Sequence, residues 1–129
     1  MTIGNRYLLL PAIMIAMAPG SIVHAQDKVE IILANFSYTP AALHLKAGRP
    51  VTLHFVNKGS GGHDFTAPEF FAAATMDAAT RKALAKGKVA LDKGSAADVT
   101  LVPVAGHYAA HCSHFLHTGF GMKGTIDVE

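Results

Sequence analysis

One stretch near the C-terminus constrains this chain more than any other: His111-Cys112-Ser113-His114-Phe115-Leu116-His117-Thr118-Gly119-Phe120-Gly121-Met122. It holds the single cysteine and three of the eight histidines. A thiol, an imidazole and a thioether follow one another as Cys112-x4-His117-x4-Met122. One thiolate, two imidazoles and a weak thioether are the donors of a blue-copper electron-transfer site. Three of those four stand in this stretch, and the fourth is expected from a histidine earlier in the chain, with His63 the best placed.

The 129 residues fit one domain, and half of them are hydrophobic, enough for a core. Part of that apolar content sits at the N-terminus. Arg6 precedes a largely apolar run from Tyr7 to Gly20, and Val23-His24-Ala25 offers small or modest residues before Gln26. This is the layout of a secretory signal peptide over residues 1–25, cut after Ala25, leaving a domain over 26–129. Pro11, Pro19 and the shortness of the run argue against a membrane-spanning helix, which needs about 20 apolar residues. Cleavage would remove Met1, Met14 and Met17, leaving Met76 and Met122, and would lower the formal net charge from +2 by the one charge of Arg6. So small a charge, with no basic run, argues against nucleic acid as a partner. A lone cysteine cannot form an internal disulfide. In an exported protein it is a free reactive thiol or a metal ligand.

The rest of the chain reads as short strands. Val29 to Leu33 is apolar; Leu43-His44-Leu45 alternates, with His44 on the wet face; Val51, Leu53 and Phe55 share one face of a strand, and Thr52, His54 and Val56 the other. His44 and His54 read as polar surface residues. Asn57 to Gly62 reads as a flexible, glycine-rich turn that could aim His63 at a site, or carry it as an ordinary loop histidine. Ala67 to Lys86 breaks the strand pattern. Pro68 suits a first helical position, Asp77 could cap a second turn, and Gly87 stops it, so this is a helical insertion in which Met76 packs as core. Strands resume at Lys88–Leu91, Asp98–Val104, His107–Cys112 and Gly124–Val128, giving about seven in all. The expected class is all-β, a sandwich or barrel.

Along the strand before the loop, Tyr108, Ala110 and Cys112 share a face, expected to be the core, while His111 points the other way. The loop must then curl back to bring His117 to the same point, and Gly119 and Gly121 allow a second return to Met122. Zinc competes for such donors, but it favours four strong ligands and a thioether fits it poorly. The bland alternative is a buried free cysteine beside surface histidines. His111 and His114 read as an outward strand residue and an exposed loop residue, or as a loading site.

Residues Gly106 to Cys112 and Met122 to Ile126 resemble the C-terminal copper loop of the cupredoxins, the plastocyanin and azurin group. Tyr108-x3-Cys112 is similar to plastocyanins, Cys112-x4-His117 to azurins, and His117-x4-Met122 to plastocyanins. Phe36 to Pro40, Gly48, Val51 to Asn57 and His63 resemble the family's N-terminal half. The resemblance implies a cupredoxin-like Greek-key β-sandwich with a short helical insertion. It implies one type 1 copper per chain, with His63, Cys112 and His117 as equatorial ligands and Met122 as the axial one. It implies also that the backbone N–H of Asp64 donates to the Cys112 sulfur, at a position where Asn or Ser is more usual. The loop is similar as well to the last domain of multicopper oxidases. Those enzymes need histidines on both sides of the cysteine, and Ser113 follows Cys112 here.

The expected function is therefore that of an exported, periplasmic, one-electron carrier cycling Cu(I)/Cu(II), a monomer and not an enzyme. Phe115, Leu116 and Phe120 would form an apolar docking patch for redox partner proteins such as cytochromes or oxidoreductases. The alternative is a periplasmic copper chaperone or storage protein, which the extra histidines His111 and His114 would serve.

Overall fold

The computed structural model describes residues 26–114 and 121–129. Residues 1–25, where a signal peptide is expected, and the loop residues Phe115 to Phe120, with His117 among them, lie outside the described residues.

Strand β4 (Val51–Asn57) shows how the sequence dictates the fold. Val51, Leu53 and Phe55 are buried on its inner face, and Thr52, His54 and Val56 alternate with them, half-buried on the outer face. β1 (Asp27–Ala34) runs parallel to it on one side, and β7 (Ala96–Leu101) antiparallel on the other. The outer face is zipped by cross-strand polar pairs. The Thr52 and Thr100 hydroxyls lie 2.9 Å apart, and His54 Nδ1 bonds to Asp98 Oδ1. The short strand β2 (Ser37–Thr39) completes this four-stranded sheet in the order β2-β1-β4-β7.

The second sheet has five strands: β3 (Ala42–Leu45), β5 (His63–Thr66), β6 (Lys88–Leu91), β8 (Gly106–His111) and β9 (Lys123–Val128), ordered β3-β9-β8-β5-β6. The two sheets form a sandwich. Its core holds Ile31, Leu33, Leu53 and Phe55 from the first sheet, and Phe65, Ala110, Ile126 and Val128 from the second. Apolar inward faces of two sheets bury each other, which is the main force holding such a fold. Phe65 is central. Its ring lies 5.1 Å from those of Tyr38 and Phe55 and 6.4 Å from that of Phe71. It anchors β5, the strand that begins with His63.

The helical insertion is present as α1 (Pro68–Ala73) and α2 (Ala78–Ala83). Pro68 sits in the first turn of α1, and Asp77 caps α2 by accepting from the Thr80 N–H at 2.7 Å. Arg81 ties the two helices, donating to the carbonyls of Phe71 at 2.9 Å and Ala74 at 2.6 Å. Met76 packs partly buried against the core, as expected of a gap-filling thioether.

The described residues form nine strands rather than the seven expected, because β2 is too short to show a period and β5 has no alternation to betray it. β2 is three residues long, and three of the four residues of β5 are buried. The strand expected over 98–104 spans Ala96–Leu101 instead. After Leu101 the chain leaves the sheet. Val102 pairs with Thr75 as an isolated bridge, and Pro103 has no N–H to continue a ladder.

Candidate metal centre

His63, Cys112 and Met122 arrive from different parts of the second sheet. His63 opens β5, Cys112 follows the last residue of β8, and Met122 precedes β9. Their relative exposures are 2%, 0% and 0%. Two of the strands that deliver them, β8 and β9, are hydrogen-bonded neighbours, and the Cys112 N–H donates to the Met122 carbonyl at 3.1 Å. This one bond closes the neck of the loop. Gly121, at φ +95°, makes the return into Met122 in the left-handed region that glycine tolerates.

Alternation places Cys112 with Ala110 in the core, as the sequence implies; Tyr108 packs partly buried on the same side and His111 is half-buried. His44 is exposed beside Asp127, and His54 pairs outward with Asp98. Both are surface polar residues. Met76 is packing.

The loop before β5 differs from expectation. Residues 57–62 form a clamped turn rather than a flexible one. The Asn57 side chain is buried beneath it, and its amide nitrogen donates towards the carbonyls of Gly61 (2.9 Å), Leu91 (3.0 Å) and Asp92 (3.1 Å). Its oxygen accepts from the Gly59 N–H at 2.9 Å. Gly59 is thereby pressed against the His63 ring. A Cβ there would stand 2.4 Å from Nε2 and 2.6 Å from Cδ2. The expectation that glycine permits close approach holds at Gly59, and His63 is a buried strand residue rather than the tip of a loop.

Asn35 supplies the other wall. Its Oδ1 lies 3.2 Å from His63 Nε2 and accepts from the Ser60 backbone N–H at 2.9 Å. A backbone N–H can only donate, so this second bond fixes which end of the amide is the oxygen. An amide oxygen can only accept, so His63 Nε2 carries the proton. A neutral imidazole in that tautomer has its lone pair on Nδ1.

Asp64 behaves in a way the sequence did not announce. Its side chain, 2% exposed, reaches the residue after Cys112. Oδ1 accepts from the Ser113 N–H at 2.8 Å and the Thr66 hydroxyl at 2.7 Å, and Oδ2 accepts from the Ser113 hydroxyl at 2.5 Å. Lys88 Nζ and His114 Nε2 each stand 3.9 Å from Oδ2. Burial alone would raise the carboxyl pKa. The Ser113 hydroxyl, the Ser113 N–H, the Thr66 hydroxyl and Lys88 together outweigh it and hold Asp64 below the usual carboxylate range. The Asp64 carbonyl in turn accepts from the Tyr38 hydroxyl at 2.6 Å. Burial, with Cys112 and Asp64 nearby, pushes that phenol well above its ordinary value.

Ligand atoms of Asp64, Cys112 and His114 all lie within 4.8 Å of one another. His114 is half-exposed, as expected, but beside the site rather than away from it. The soft donors Cys112 and Met122 and the pre-oriented imidazole His63 fit copper better than a hard cation.

Two sheets packed face to face, with a buried histidine, cysteine and methionine at the ends of strands of the second, define a β-sandwich. Residues 7–128 match the cupredoxin-like domain, and the chain belongs to that family. No curated protein matches it. Among solved structures it is similar to a dithionite-reduced auracyanin from the photosynthetic bacterium Roseiflexus castenholzii, with 18% identity and TM-score 0.59 over 82% of this chain and 99% of that one. It is similar also to auracyanin A, a "blue" copper protein from the green thermophilic photosynthetic bacterium Chloroflexus aurantiacus, with 20% identity and TM-score 0.56 over 81% and 100% of the two chains. A multicopper oxidase aligns with 16% identity and TM-score 0.58, over 79% of this chain and 41% of the oxidase. At these identities the likeness speaks for the fold.

Proposed function

We propose that this chain is an exported type 1 copper protein that carries single electrons, with His63, Cys112, His117 and Met122 holding one copper. The observation that carries this reading is that His63, Cys112 and Met122 are each buried, with the Cys112 N–H bonded to the Met122 carbonyl. When bound, copper supplies a one-electron Cu(I)/Cu(II) couple. The chain's own residues supply rigidity. Asn35 holds the His63 tautomer, Gly59 lets the turn close on its ring, and Asp64 ties the strand of His63 to the turn of Cys112. A site so fixed need rearrange little between oxidation states, which suits fast electron transfer.

Export follows from the signal-like residues 1–25. Among the described residues no helix is long and apolar enough to cross a membrane. Redox partners would dock on Phe115, Leu116 and Phe120, and the small net charge leaves little long-range steering. Carriage rather than catalysis suits a chain with Ser113 where the oxidase pattern needs a second histidine.

A copper-chaperone reading has one observation in its favour, the half-exposed His114 ring close to Cys112. Voltammetry of the copper-loaded protein, repeated with a Cu(I) chelator present, separates the two. A carrier gives reversible one-electron cycling and keeps its metal through many cycles, and the His111→Ala/His114→Ala double variant cycles like wild type. Irreversible reduction with release of Cu(I) to the chelator would favour delivery and overturn the carrier reading.

A further inference from the structure

Asp64 lies outside the proposed ligand set, yet its buried carboxylate is tightly bonded beside it. Three hydrogen bonds of 2.5–2.8 Å converge on its carboxylate, two of them from Ser113, the residue after Cys112. Ser113 is 49 residues away in sequence, so the carboxylate clips the start of β5 to the end of β8. A carboxylate oxygen also lies within 4.8 Å of the Cys112 sulfur. Among the described residues the positive groups facing it are Lys88, at 3.9 Å and one-third exposed, and the His114 ring when protonated.

We propose that Asp64 is a positioning residue with a second, electrostatic role: it holds the Cys112 turn through Ser113 and sets a fixed negative charge beside the copper thiolate, favouring Cu(II) over Cu(I). The inference rests on the copper reading above. Its physical basis is Coulombic. Cu(II) bound to a thiolate carries one more positive charge than Cu(I), so an adjacent carboxylate stabilises the oxidised state more. At under 5 Å in a poorly solvated site the interaction is substantial, and Lys88 offsets part of it. An effect of about tenfold on the ratio of Cu(I) to Cu(II) affinity remains.

Two variants separate charge from tether. Asp64→Asn keeps the shape: its carbonyl can still accept from the Ser113 N–H while its NH2 donates to the Ser113 hydroxyl. It should keep the visible thiolate-to-copper band and raise the Cu(I)/Cu(II) affinity ratio about tenfold, an upward shift of ~59 mV in reduction potential. Asp64→Ala removes the tether as well, and amide exchange at Ser113 in the metal-free protein should accelerate at least about tenfold through local opening. A potential unchanged in Asp64→Asn would overturn the electrostatic role. Unchanged Ser113 exchange in Asp64→Ala would overturn the tether. The exchange experiment needs no metal, so it stands even if the wild-type protein shows no thiolate-to-copper band, a result that would count against the copper reading itself and against the electrostatic role resting on it.

Discussion

Asn57→Asp should destabilise the metal-free protein by about 3–5 kcal/mol, the range for a buried charge without a compensating partner. The substitution changes hardly any volume. It replaces an NH2 that faces the carbonyls of Gly61, Leu91 and Asp92 with an oxygen facing the same three carbonyls. The new carboxylate either remains ionised against three oxygens or takes up a proton at a cost, and only the Gly59 N–H remains as a donor on its far side. Three segments lose their common pin at once: the end of β4, the turn before His63, and the exit from β6. Urea unfolding checks this. A midpoint that falls steeply with an unchanged slope is expected. A loss below about 1 kcal/mol would show that the turn does not depend on this amide.

Gly59→Ala should weaken copper binding as well as the fold. The added Cβ would lie 2.4 Å from His63 Nε2 and 2.8 Å from Asn35 Oδ1, side-chain atoms that hydrogen bonds already hold in place. The His63 ring must therefore tilt or the turn must lift, and either breaks the bond that fixes its tautomer. Loss of a ligand's supporting contacts lowers metal affinity by about 10–100-fold. Cu(II) affinity measured against a competing chelator should fall within that range, while stability of the metal-free protein falls by about 1–3 kcal/mol from overpacking. Gly61 provides the control, because a Cβ there meets nothing within 4 Å. Gly61→Ala should bind copper like wild type. Equal affinities for the two variants would mean that the turn does not hold His63.

Residues could be read from the sequence where their role depended on neighbours in the chain. β4 was legible because Val51, Leu53 and Phe55 alternate with Thr52, His54 and Val56. Cys112 was legible as a buried residue because alternation along its strand is local. β5 was not legible, since a four-residue strand buried at His63, Asp64 and Phe65 shows no period of two, and the glycines before it read as loop. Asn57, Asn35 and Asp64 were hidden for a common reason. Asn57 finds Leu91 34 residues on, Asn35 meets His63 across 28, and Asp64 meets Ser113 across 49. Nothing local distinguishes such a side chain from a solvated one. The resemblance points to the Asp64 backbone N–H and says nothing of its carboxylate, which bonds to Ser113. His114 was correctly read as exposed, but its closeness to Asp64 depends on the turn after Cys112. His117, Phe115, Leu116 and Phe120 are known from spacing and composition alone, because they lie outside the described residues.

The most direct test of the central claim is the optical and EPR spectrum of the purified protein with one equivalent of Cu(II), for wild type and Cys112→Ser. A thiolate bound to Cu(II) at this site should give an intense visible charge-transfer band and a small copper hyperfine splitting in wild type, both lost in Cys112→Ser. A pale, ordinary Cu(II) spectrum that the substitution leaves unchanged would contradict it. Cys112 would then not be a ligand, and copper would be held by histidines instead.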